Sequence, residues 1–189
     1  MTLTRPSPET TALMVIDVQE RLAAAMPQGP ALENIGRLID GARALGVQLL
    51  VTEQYPKGLG PTLAPLRERL GAFATPVSVL EKLDFDACDD PAVSAALEGL
   101  QQARVRTLVL AGMEAHICVA QTARGLVDRG FQVLVVADAT ASRTAENRRL
   151  AEGLWTAAGA VPTSTEAVLF DLVRRASGDA FKSVSKLIR

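Results

Sequence analysis

The chain has 189 residues, of which 48% are hydrophobic and 22% charged, and this is enough to bury the core of one compact domain. Its 20 lysines and arginines nearly balance 21 aspartates and glutamates, so the net charge of −1 predicts neither a nucleic-acid partner nor attraction to a membrane. Two cysteines, an N-terminus unlike a signal peptide and no apolar run of the ~20 residues that span a bilayer predict a cytoplasmic protein. We expect a single domain over residues 1–189.

Six short apolar runs recur along the chain and predict buried strands. In chain order they cover residues 12–16, 47–51, 76–80, 107–111, 131–137 and 160–163. The runs lack the strict polar alternation of half-exposed strands, so helices are expected to cover both sides of the sheet. The segments between them carry apolar residues at helical spacing. This pattern predicts an α/β fold, a three-layer doubly wound sandwich with a mainly parallel six-stranded sheet.

Several helix ends can be predicted from capping residues. Asp90 before Pro91 is typical of an N-cap followed by the first helical position. Thr163 and Glu166 have the spacing of a capping box, which predicts that a helix begins after Thr163. Gly46 stands before the second strand, where a glycine in the left-handed conformation can end a helix.

Polar residues stand where the predicted strands end. Charged residues follow the first, second, third and fifth strands, namely Asp17, Glu53, Lys82 and Asp138. The fourth run leads into GMEAHICV, which places Cys118 at the start of the next helix. Because ligands of open α/β sheets bind outside the carboxyl ends of the strands, these groups are expected to meet there.

Cys118 is the predicted nucleophile of this site. A helix N-terminus and the ammonium of Lys82 are both expected to lower the pKa of its thiol and to favour the reactive thiolate. Asp17 would accept the thiol proton and later return it to a leaving amine, while Lys82 would hold that carboxylate. Taken singly, each residue also has a common structural interpretation, as a small buried side chain, a turn residue or a solvated charge.

These segments resemble the isochorismatase-like cysteine hydrolases over nearly the whole chain, in particular the subgroup of isochorismatase domain-containing proteins. The segments that carry the resemblance are LMVIDVQE around Asp17, TEQYPKGLGPT from Thr52, VLEKLDFDAC around Lys82, GMEAHICVAQTARGLVDRG around Cys118, VVADATASR around Asp138 and GAVPTSTEAVLF near the end. The resemblance implies a catalytic triad of Asp17 as general base, Cys118 as nucleophile and Lys82 as third member. It also implies a cis peptide bond between Met113 and Glu114, and an oxyanion hole formed by the backbone N–H groups of Glu114 and Cys118.

The chain departs from nicotinamidases, members of this superfamily that share an Asp/His metal site. Its single histidine, His116, cannot form a two-histidine site, so we expect no metal, no other cofactor and a substrate other than nicotinamide. Members that hydrolyse the vinyl ether of isochorismate lack the cysteine that this chain keeps as Cys118. Attack on the carbonyl carbon of an amide or imide-like group is therefore favoured.

Loops beside the proposed triad supply the substrate-binding candidates, which are Gln54, Tyr55, Phe85 and Glu114. Core packing is an open alternative for Phe85, and a structural role is an open alternative for the Glu114 carboxylate. We expect Arg143 to pair with Asp138 as a structural clamp rather than to bind substrate.

The sequence thus predicts a metal-independent cysteine hydrolase that cleaves a C–N bond of a small amide-like substrate through a thioester on Cys118. The alternative is a catalytically quiet isochorismatase-like subunit that acts in assembly or small-molecule binding. A redox role is the least favoured, because no resolving cysteine stands near Cys118 in the sequence. The resemblance implies a homo-oligomer, a dimer or larger. Residues 178–189 are expected either to pack on a neighbouring subunit as a terminal helix or to fray.

Overall fold

The computed structural model describes residues 3–189, which form a parallel sheet between two layers of helices. The strands are β1 (Thr11–Ile16), β2 (Gln48–Gln54), β3 (Ser78–Lys82), β4 (Thr107–Met113), β5 (Gln132–Ala141) and β6 (Val161–Thr163). The helices are α1 (Glu20–Ala24), α2 (Ala31–Leu45), α3 (Pro56–Leu59), α4 (Ala64–Gly71), α5 (Pro91–Gln102), α6 (Cys118–Asp128), α7 (Ala145–Ala157), α8 (Thr165–Val173) and α9 (Gly178–Ile188). The predicted α/β sandwich with a six-stranded sheet is confirmed.

The strand order is β3-β2-β1-β4-β5-β6, and every neighbouring pair is parallel. The chain builds outward from β1 to β3 and then returns to add β4 on the other side of β1. The order therefore reverses between β1 and β4, which is where an open α/β sheet leaves a crevice for ligands. None of the helices within residues 3–189 is long and apolar enough to cross a bilayer.

The two sides of the sheet bury separate apolar clusters, because successive side chains of a strand point to opposite faces. On one side, Met14 and Leu110 pack against residues of α5, α6 and α7. On the other side, Val15 and Ala111 pack against residues of α2, α8 and α9. The central strands β1 and β4 are buried along their whole length, which explains why their sequences lack polar alternation.

Two of the predicted helix ends are confirmed and one is wrong. The carboxylate of Asp90 caps α5 by accepting two backbone N–H groups, and Gly46 ends α2 with a φ of 69°. The predicted capping box at Thr163 is wrong, because Thr163 is still the last residue of β6. The hydroxyl of Ser164 caps α8 instead.

The C-terminal helix α9 packs on its own chain. Val184 is fully buried, and the ring centroid of Phe181 lies 6.3 Å from that of Phe170 in α8. Helix α9 also contacts α2. The apolar face of α9 thus packs against α2 and α8 of the same chain.

Gly112 allows β4 to approach the end of β1 very closely. Its φ is 130°, and a Cβ atom at this position would lie 2.1 Å from the backbone oxygen of Ile16. The pairing of β4 with β5 also shifts register between Leu110 and Gly112. Because Ile16 directly precedes Asp17, this contact sets the separation between the β1 and β4 halves of the crevice.

Replacing Gly112 by alanine is predicted to lower the free energy of unfolding by about 3 kcal/mol or more, because backbone atoms must move apart and φ becomes strained. The matched control is Gly153→Ala in the middle of α7, where an added Cβ meets no atom within 4 Å. That change is predicted to stabilise the protein by ~1 kcal/mol through helix propensity. Urea unfolding followed by circular dichroism measures both, and equal midpoints for the two variants would contradict the prediction.

Candidate active site

The register of three parallel strands brings the first part of the site together. Thr52 of β2 lies beside Ile16 of β1, and Gln54 lies beside Lys82 of β3. Alternate residues of a strand share a face, so Thr52 and Gln54 reach toward Asp17 and Lys82 from the strand between them. Thr52 was not among the site residues predicted from the sequence. Its spacing of two residues from Gln54 is the signal that could have identified it.

Asp17 is fully buried and follows β1 in the left-handed conformation, with a φ of 54°. Its Oδ2 accepts a hydrogen bond from Lys82 Nζ at 2.8 Å, and its Oδ1 accepts one from Thr52 Oγ1 at 2.7 Å. The side chains of both Asp17 and Lys82 have no exposed surface. A buried ion pair is costly unless further hydrogen bonds compensate for lost water, and Thr52 provides one of them.

Gln54 contacts the other member of the ion pair, Lys82. Lys82 Nζ donates to Gln54 Oε1 at 2.6 Å and to the carbonyl oxygen of Asp84 at 3.2 Å. The Gln54 amide nitrogen donates to the carbonyl oxygen of Leu83 at 2.6 Å. Both ends of the Gln54 amide are therefore engaged within the protein, and this side chain holds Lys82. Its predicted contact with a substrate stays a prediction.

Cys118 begins α6 and is only 5% exposed. Burial is the main reason that the pKa of its thiol is raised to about 12, and the nearby Asp17 carboxylate raises it further. Lys82 and the backbone N–H of Glu114 lower this pKa by less. The expected lowering of the pKa was wrong, because burial and the carboxylate outweigh the ammonium. The resting site therefore holds a thiol.

A tight turn joins β4 to Cys118. It starts at the Met113–Glu114 peptide bond, which is cis. Within residues 3–189, neither the N–H of Glu114 nor that of Cys118 has a backbone oxygen as acceptor. The first N–H groups of a helix lack intrahelical partners and carry its positive dipole end. The N–H of Cys118 can thus receive a ligand oxygen, and the N–H of Glu114 faces the Cys118 sulfur beside it.

The Glu114 side chain is engaged with the scaffold. Its carboxylate accepts hydrogen bonds from the backbone N–H of Arg143 at 2.9 Å and from the Arg143 Nε at 3.1 Å. The predicted Arg143–Asp138 pair is therefore wrong. Because β5 continues to Ala141, Asp138 lies inside the strand, and it accepts from the N–H and hydroxyl of Thr165 at 2.8 and 2.9 Å.

The two aromatic candidates lie at the surface, where Tyr55 is 52% and Phe85 is 54% exposed, so Phe85 is not a core residue. Tyr55 and Lys82 line a cavity of about 380 Å³, whose other walls are Pro56, Lys57, Glu81, Leu83, Asp84 and Asp90. A second cavity of about 360 Å³ lies beside Met113 on the side of α1 and α2. Cys118 lines neither cavity, so the hydrogen-bonded side chains, rather than the size of a cavity, define the site.

Two further polar residues near the strand ends serve the scaffold. His116 Nδ1 lies 3.0 Å from Ser142 Oγ, and Glu53 accepts hydrogen bonds from the N–H and hydroxyl of Thr62. Across residues 3–189, no three His, Cys, Asp or Glu side chains are grouped so that they could hold a metal ion.

The fold is thus a doubly wound α/β sandwich that carries a cysteine at a helix N-terminus and a buried ion pair of carboxylate and ammonium. Residues 11–167 match the isochorismatase domain, and the chain belongs to this family. The resemblance found in the sequence motifs is thereby confirmed.

Three proteins are similar to this chain in sequence or in fold. The chain is 38% identical over 189 residues to isochorismatase domain-containing protein 1 of Danio rerio. The alignment covers 100% of this chain but only 64% of that protein. The structure of MAR1 ribonuclease from Caenorhabditis elegans is 39% identical, with a TM-score of 0.89 over 98% of this chain and 92% of that chain. The YCAC gene product of Escherichia coli, an octameric hydrolase of unknown specificity, is 21% identical, and its TM-score of 0.89 over 100% and 91% of the two chains shows the same fold.

Replacing Asp17 by asparagine is predicted to lower the pKa of Cys118 by about one unit or more, because a negative charge is lost while the ammonium stays. Lys82→Met is predicted to raise the same pKa. The pH dependence of iodoacetamide alkylation measures it in a Cys88→Ser background, where Cys118 is the remaining thiol. Circular dichroism must show that both variants are folded, and shifts of the same sign would contradict this electrostatic description.

Proposed function

We propose that this chain is a cysteine hydrolase that cleaves a C–N bond of a small amide-like substrate through a thioester on Cys118, without need of a metal or another cofactor. The observation that carries the proposal is that the buried Cys118 thiol lies near the Asp17–Lys82 ion pair, so that both charges act on its pKa. A base beside a nucleophile is the arrangement required for covalent hydrolysis.

The first step forms a tetrahedral intermediate, from which the thioester later arises. Cys118 Sγ attacks the carbonyl carbon while its proton passes to Asp17, and the carbonyl π electrons move to the oxygen. Because the pKa of the Cys118 thiol is raised, the mechanism needs a base to accept the thiol proton as the sulfur attacks. The N–H groups of Glu114 and Cys118 would bind the resulting oxyanion.

Two further steps follow, the first of which releases the amine and the second the carboxylic acid. Asp17 returns its proton to the leaving nitrogen as the C–N bond breaks, which leaves the thioester. A water molecule then attacks the thioester carbon while its proton passes to Asp17. The C–S bond breaks, the carboxylic acid leaves, and Asp17 returns the proton to the Cys118 sulfur. Lys82 Nζ is occupied by three oxygens of the protein, so it holds Asp17 rather than the substrate.

A small molecule is favoured over RNA as the substrate. The name of the C. elegans protein gives it a ribonuclease activity. RNA binding depends on cations that neutralise phosphates. The net charge of this chain is −1. Besides Lys82 itself, the cavity beside it is lined by three carboxylates, those of Glu81, Asp84 and Asp90, but by only one other cation, Lys57.

The proposal predicts an acyl adduct on Cys118. Single-turnover incubation with p-nitrophenyl acetate and with a panel of small amides, followed by peptide mass mapping, is expected to locate it there. The adduct should be absent in Cys118→Ser and retained in Cys88→Ser, since Cys88 is also a buried free thiol and so a matched control. Binding without an adduct would support the catalytically quiet subunit, and cleavage of a single-stranded RNA without an adduct would contradict the proposal.

We further infer that the chain associates with copies of itself along the edge of the sheet beside the site. The edge strand β3 and the following loop expose three large apolar side chains, those of Val79, Leu83 and Phe85, and Tyr55 is exposed nearby. Grouped exposed apolar residues commonly mark interfaces. The octameric state of the E. coli protein agrees with this inference.

Free thiols at both cysteines agree with a cytoplasmic location.

Native mass spectrometry is expected to show a dimer or a larger assembly of the wild-type chain. Leu83→Asp should shift the distribution toward monomer, because it places a charge in the apolar patch, where Leu83 is 71% exposed. Leu154→Asp on α7, at a leucine that is 45% exposed, serves as the control and should leave the assembly intact. A wild-type monomer at micromolar concentration would contradict the inference.

A further inference from the structure

A tryptophan far along the chain contacts the turn that precedes Cys118. Trp155 is fully buried in α7, and its indole N–H donates to the carbonyl oxygen of Ala115 at 3.0 Å. Buried tryptophans generally need a partner for this N–H group. The acceptor found here is a peptide group between the two proposed oxyanion donors, Glu114 and Cys118.

The other side of the turn is fixed by the segment that follows β5. Ala115 N–H donates to the carbonyl oxygen of Ala141 at 2.8 Å. The Glu114 carboxylate accepts from the backbone N–H and the Nε of Arg143, at 2.9 and 3.1 Å. The next residue, His116, contacts Ser142. Three consecutive residues of the turn are therefore bound to residues 141–143 while Trp155 holds the carbonyl of the middle one.

From these contacts we propose that Trp155 and Arg143 are positioning residues, which hold the Glu114–Cys118 turn so that both N–H groups face the carbonyl oxygen of the substrate. The proposal rests on the proposed function. Donors stabilise an oxyanion only when they are fixed in advance, and small displacements of catalytic groups cost much of the rate. The Nε1 of Trp155 and the Nε of Arg143 are both used within the scaffold, so their effect passes through the turn.

Two reactions of the same thiol separate this role from a general contribution to stability. Acylation of Cys118 by p-nitrophenyl acetate passes through a tetrahedral oxyanion: the S–C bond forms, the thiol proton goes to Asp17 and p-nitrophenolate leaves. Alkylation by iodoacetamide also forms an S–C bond, but it expels iodide from a saturated carbon and develops no oxyanion. A displaced turn should therefore slow acylation far more than alkylation.

The experiment measures both rates at Cys118 in a Cys88→Ser background, for Trp155→Phe and Arg143→Ala. Phenylalanine keeps most of the buried aromatic packing and removes the N–H donor. In each variant we expect the acylation rate to fall by about 10- to 100-fold, with little change in alkylation. Arg149→Ala, at an exposed arginine on the same helix as Trp155, is the matched control and should change neither rate.

Unchanged acylation in both folded variants, or an equal fall of both rates, would overturn the proposal. If Trp155→Phe fails to fold, Arg143→Ala decides alone, since the Arg143 side chain is 59% exposed and its loss leaves the core intact. A wild-type Cys118 that is alkylated but never acylated would overturn the proposed function itself. That result is distinguishable, because it appears before any variant is compared.

Discussion

The buried ion pair between Asp17 and Lys82 is the interaction on which the site depends. Neither side chain reaches solvent, and a pair of this kind destabilises a protein unless the remaining hydrogen-bonding capacity of both groups is used. Thr52 and Gln54 provide that compensation from β2, one for each charge. Because three neighbouring strands each contribute a part, the pair can form only when all three are in register. The geometry of the site is thus a consequence of the sheet.

The same carboxylate acts on Cys118 in two opposing ways. Its negative charge adds to the effect of burial and raises the pKa of the thiol, while its position offers an acceptor for the thiol proton. In the proposed mechanism the nucleophile is therefore neutral at rest, and proton transfer to Asp17 would accompany its attack. A neutral, 5% exposed thiol is also a poor target for oxidants, since reactivity follows the thiolate fraction and access.

The proposed interface and the ion pair share a short piece of backbone. Leu83 extends its side chain into solvent at the edge of the sheet, and its carbonyl oxygen accepts the amide of Gln54, which in turn holds Lys82. An exposed edge with apolar side chains is normally protected in natural proteins, and a second copy of the chain would protect this one. Contacts at Leu83 would then stiffen the residues around the ammonium.

The α/β fold and the convergence of Asp17 and Lys82 could be predicted from the amino-acid order, because buried strands leave apolar runs and parallel strands end at one edge. The partners of individual side chains became known from the folded chain. Arg143 binds Glu114 instead of the expected residue, Gln54 is used by the ion pair, and Trp155 reaches a carbonyl group 40 residues away. The physical reason is that periodicity reports which face of an element is buried. A hydrogen bond between distant segments depends instead on strand register, bulges and helix placement, which local sequence patterns do not specify.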